Sequence, residues 1–125
     1  MKVLKHIKKY VEGELFNYPI YKEALLQIKE NTFLQQSANN LVPATKDKVP
    51  HPFLDRSTIR MEASISAIED VLSILPEKYR RLIELRYFRS YKVEQVVDEL
   101  DICVRNFFNY RDEAISFFAV RFGLI

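Results

Sequence analysis

Only two glycines occur in this 125-residue chain, a scarcity that favours helix over sheet, because hairpin turns draw heavily on glycine. The two that exist, Gly13 and Gly123, are isolated, so there is no glycine-rich loop to cradle a phosphate. A single cysteine, Cys103, excludes an internal disulfide and suits a reducing cytosol. It stands in an expected turn, where a small residue is the simple reading and a redox-sensing thiol the sharper one. The two histidines, His6 and His51, have no companions at metal-ligand spacing. No run approaches the roughly 20 apolar residues of a membrane span. The opening MKVLKHIKKYVEGELF alternates lysine with apolar residues and lacks the continuous stretch of a signal peptide. The expectation is a cytoplasmic protein with no membrane partner. Glu12/Glu14 and Glu69/Asp70 read as ordinary solvated pairs, so neither an enzyme nor a cofactor is expected.

Strong charge of one sign is also missing. The net charge is +2, and residues 76–125 carry 9 Lys/Arg against 8 Asp/Glu. A solitary nucleic-acid binder commonly shows a basic stripe. Its absence implies modest affinity unless subunits combine, since tethering two weak contacts raises the affinity of the pair.

What is present is helical periodicity over a chain that is 48% hydrophobic, consistent with about one all-α domain, or a small domain with an appendage. Over residues 2–16, Leu4, Ile7, Val11 and Leu15 recur at spacings of three and four, the pattern of an amphipathic helix. Asn17-Tyr18-Pro19 should end it, because the residue before a proline avoids the helical region. A second helix follows with Ile20, Ala24, Leu25 and Ile28 on one side. An N-terminal helical pair over 1–36 is thus expected. Periodicity vanishes over 37–56, where Asn39-Asn40 and prolines 43, 50 and 52 suggest a linker with Lys46 and Lys48 solvated.

The remaining segment, 57–125, should hold a long helix and a helix-turn-helix domain. Ser57 is placed to cap the long helix. Thr58, Met61, Ile65, Ile68, Leu72 and Leu75 then alternate at three and four, a seam of about three heptads. This stripe either packs within the chain or joins two copies, and spacing alone does not separate the two. Pro76 suits the start of a further helix, with Tyr79, Leu82, Ile83, Leu85 and Phe88 supplying apolar area. After a break at Ser90-Tyr91, Val93, Val96, Val97 and Leu100 form one face of a short helix. Asp101-Ile102-Cys103 makes a turn, with Ile102 directed to the core.

The last helix should bury Phe107, Tyr110, Ala114, Phe117 and Phe118. That leaves Arg105, Phe108, Asn109 and Asp112 on the other side, with Val104 and Asn106 near its start. These are the positions that a recognition helix directs into a major groove. Arginine can bridge guanine O6/N7, asparagine adenine N6/N7, and an aromatic ring can cover a thymine methyl. Arg89, Lys92 and Arg111 are candidate phosphate contacts. The bland alternative is that the same residues are merely the solvated side of an amphipathic helix.

LPEKYRRLIELRYF followed by VEQVVDELDI resembles region 4 of bacterial sigma factors and related helix-turn-helix regulators. NFFNYRDEAISFFA is similar to a signature of the RinA/ArpU group, phage late-gene transcriptional regulators, and LFNYPIYKEALLQIKE resembles that group's opening. The likeness spans most of the chain outside the linker. It implies activation of a phage late operon (packaging, morphogenesis or lysis) by binding double-stranded DNA upstream of a promoter in a bacterial cytoplasm. A homodimer or higher oligomer and contact with RNA polymerase are also expected. An adapter for the polymerase or a phage partner is the alternative, as is a small DNA-recognition subunit of a packaging machine. The chain departs from the usual pattern at Val97, where a small residue is common. Asp101 replaces glycine, Cys103 a Ser/Thr cap, Asn109 an arginine and Phe107 a smaller valine.

Overall fold

A computed structural model describes residues 3–39 and 56–125, with side chains described outside 31–39. The described chain is all-α: α1 (Lys5–Asn39), α2 (Arg56–Ile74), α3 (Glu77–Ile83), a π-helical turn (Glu84–Phe88), α4 (Val93–Leu100) and α5 (Val104–Arg121). Among the described residues, no helix is long and apolar enough to cross a membrane.

The expected N-terminal pair is a single helix. α1 runs 35 residues, straight through Pro19, about 52 Å at 1.5 Å per residue. A proline inside a helix removes one hydrogen bond and crowds the carbonyl four residues back, at a cost of about 3 kcal/mol. Tertiary packing offsets that cost here. Val11, Leu15, Tyr18 and Leu25 are all buried, and Tyr18 stacks on Phe88 at 4.6 Å while donating a 2.8 Å hydrogen bond to Glu69 of α2. Burying four such side chains outweighs one lost backbone bond, at roughly 1.5–3 kcal/mol each.

The expected linker is shorter than its 37–56 span, because residues 37–39 continue α1 and Arg56 belongs to α2. The rest of it, with Lys46, Lys48 and His51, lies outside the described residues. Ser57 accordingly sits within α2 rather than ahead of it.

The heptad stripe of α2 is used inside the chain. Thr58, Ile68 and Leu75 are buried and Met61, Ile65 and Leu72 half-buried, with α1 as the main neighbour of α2. Polar contacts fix the register between the two helices. Glu14, expected in a solvated pair, is buried and accepts from Arg60 and Ser64, each at 3.4 Å. Its neighbour Glu12 accepts a 2.6 Å hydrogen bond from Tyr87, a fully buried ring of the π turn. Burial first, then that bond and the charge of Glu12, push the Tyr87 hydroxyl well above the usual tyrosine range.

One core unites all five helices: Val11, Leu15, Ile68, Leu82, Val96, Phe107 and Phe118 are among its members. The extra residue of the π turn shows in the bond from the Arg89 amide to the Glu84 carbonyl, five positions back, at 2.9 Å. Ser90 then takes a positive φ of 57° and ends the segment. Arg86 closes the corner by donating to the Tyr91 carbonyl at 3.0 Å.

Candidate nucleic-acid interface

The turn between α4 and α5 is built as its residues dictate. α4 exposes Glu94, Gln95, Asp98 and Glu99 and buries Val96. The Gln95 side chain accepts from the Lys92 amide at 2.9 Å, satisfying a donor the first helical turn leaves unpaired. Asp101 ends the helix in the left-handed region, at φ 54° and ψ 53°. Asparagine and aspartate occupy that region at lower cost than most side chains. The Ile102 amide then bonds back to the Val97 carbonyl at 3.1 Å. Cys103 occupies the N-cap of α5 without making a side-chain cap bond.

This turn sets the orientation of α5. Phe107 is buried, whereas Val104 (49% exposed), Arg105, Asn106, Phe108 (39%) and Asn109 line the open side of the first turns. There is no acidic residue in the first turn of α5, which leaves that end compatible with an anionic partner. Phe108 is held in place, its ring edge-on to Phe107 at 5.2 Å and beneath the Arg111 guanidinium at 4.9 Å. Arg89 and Lys92 are exposed at the approach to α4.

Two of the expected contact residues are engaged inside the protein. Arg111, half-buried, donates to Asp112 through Nε at 3.1 Å and Nη2 at 2.9 Å. Lys8 of α1 reaches the same Asp112 oxygen at 3.1 Å. Burial of Asp112 works against ionisation, but the Arg111 and Lys8 contacts outweigh it and hold the carboxyl below its usual range.

The buried face of α5 differs from the expected one on one edge. Phe117 is 43% exposed, while Ile115 and Ala119 are fully buried. α1 and α2 pack on α5 in addition to α3, so the apolar face extends toward 115 and 119. Tyr110 is half-buried beside Tyr79 at 5.5 Å. Lys78 lies over both rings, at 5.1 and 4.7 Å. The Tyr79 hydroxyl donates to Glu113. That bond, with burial and the carboxylate's charge, pushes its pKa up to about 12. α3 thereby holds the middle of α5 in position.

No family model, curated protein or solved structure matches this chain.

Proposed function

We propose that this chain is a sequence-specific DNA-binding transcriptional regulator, of the kind that activates phage late operons, with α5 as the recognition helix. The observation that carries this reading is the turn at Asp101, which buries Phe107 and leaves Arg105, Asn106, Phe108 and Asn109 together on open surface. These side chains offer the donors, acceptors and apolar edge that distinguish base pairs in a major groove. Arg89 and Lys92 are suited to the flanking phosphates, which position a protein without specifying sequence. Arg111 and Asp112 act from behind, bracing Phe108 and tying α5 to α1.

Oligomerisation is part of the proposal, because few exposed cations on the helix-turn-helix unit give weak binding to one half-site. With the α2 stripe packed against α1, a second copy would use another surface. The test is selection of bound fragments from the source genome, followed by mapping of the recovered sites. The reading expects a shared motif placed upstream of late promoters. Recovery of fragments with no common motif would overturn it.

A second reading is a protein adapter that binds RNA polymerase or a phage partner. The exposed apolar side chains of Val104 and Phe108 on the same helix favour it. Heparin retention and binding to random duplex separate the two, since an adapter fails both.

A further inference from the structure

The N-terminal helix contributes to the surface that the helix-turn-helix unit presents. Lys5, Lys8 and Lys9 lie at spacings of three and four, hence on one side of α1. With Arg111 of α5 they line a single concavity of about 630 Å³. Contacts between the two helices run from Lys8–Asp112 to Tyr10–Phe122. Lys8 and Arg111 meet at Asp112, and Arg111 lies over the Phe108 ring, so the first turn of α1 stands beside the part of α5 that carries Phe108.

The charges there are unevenly committed. Asp112 is shared by Lys8 and Arg111, and Glu12 accepts the Tyr87 hydroxyl. Lys5 and Lys9 are exposed and have no carboxylate partner among the described residues. Four cations thus face two carboxylates, with Glu12 lining the concavity beside the lysines, which leaves an excess of two positive charges. The near-neutral charge of the chain conceals this local excess.

We infer that Lys5 and Lys9, backed by Lys8 and Arg111, form a phosphate-binding flank that grips the DNA backbone beside the helix lodged in the groove. The inference rests on the DNA-binding reading of α5. Duplex DNA is the occupant favoured, because the cluster continues the proposed recognition surface and the duplex carries a charge about every 1.7 Å of its axis. Arg89 and Lys92 alone would give a slope of log affinity against log salt of about −1.8, and adding Lys5 and Lys9 steepens it to about −3.6.

The experiment is a salt titration of the full chain on a random-sequence 20-bp duplex, read by fluorescence anisotropy. Lys5→Gln/Lys9→Gln is expected to make the slope shallower by about 1.8, because each lost phosphate contact removes about 0.9. Lys5→Arg/Lys9→Arg should restore it. Lys29→Gln, about 30 Å further along α1, should leave it unchanged. An unaltered slope in the double glutamine variant overturns the flank and leaves the DNA-binding reading standing. Absence of wild-type binding at about 50 mM salt overturns both.

Discussion

Tyr87 and Glu12 lie 75 positions apart in sequence and are joined by a 2.6 Å hydrogen bond from phenol to carboxylate. The bond links the π turn of the C-terminal unit to α1, so the N-terminal helix is part of the same folded body rather than an appendage. A hydrogen bond to a charged partner contributes about 1.5–3 kcal/mol when buried. Glu12 retains partial solvent access, which places this one at the lower end. Tyr87→Phe should lower stability by about 1–2 kcal/mol in chemical denaturation. It should also speed amide exchange over residues 5–18. Unchanged stability and exchange would show that the bond does not hold α1 in place.

Tyr79 predicts a response to alkali. Its hydrogen bond to Glu113 requires the protonated phenol, and its folded pKa of about 12 stands above the ordinary value of 10. A raised folded pKa means that this contribution is fully present below about pH 10. It is lost as pH rises from there through about 12. Stability measured between pH 9 and 12 should fall less steeply in Tyr79→Phe than in the wild type. Identical slopes would remove Tyr79 from the account of alkaline unfolding.

Cys103 predicts a gain. It holds extended N-cap geometry, at φ −84° and ψ 161°, without supplying a cap bond. Serine in the same conformation can accept from an unpaired amide of the first turn, a contribution of about 1 kcal/mol. Cys103→Ser should raise the melting temperature by several degrees without altering the fold. A lower melting temperature would mean that the thiol makes a packing contribution larger than the cap.

The contrast between the two halves of the chain shows what local chemistry can reveal. Asp101 in the left-handed region, Cys103 at the cap and the buried Val96, Phe107, Ala114 and Phe118 all follow from short-range pattern and turn chemistry. Pro19 misleads because the rule against proline in a helix is local, while the packing of Tyr18, Leu15 and Val11 that overrides it comes from distant residues. Phe117, Ile115 and Ala119 exchange roles because α5 has neighbours on more than one side, and a helical wheel drawn for one neighbour cannot place its edges. Glu12 and Glu14 look solvated until the helices carrying Tyr87 and Arg60 are in place. The lysine flank had a signal of its own, four lysines and no acid in the first nine residues, but nothing in the pattern sets those residues beside Arg111.

Arg105 is the side chain through which α5 would read a guanine, and its removal separates base reading from backbone contact. Anisotropy titration of Arg105→Ala against a selected genomic fragment and a scrambled duplex compares specific with nonspecific binding, with far-ultraviolet circular dichroism to follow the fold. A bidentate arginine–guanine contact discriminates by about 1–3 kcal/mol. Specific affinity of Arg105→Ala is therefore expected to fall roughly tenfold or more while helical content holds and scrambled-duplex binding changes much less. Specific affinity equal to that of the wild type would contradict the proposal that α5 is the recognition helix.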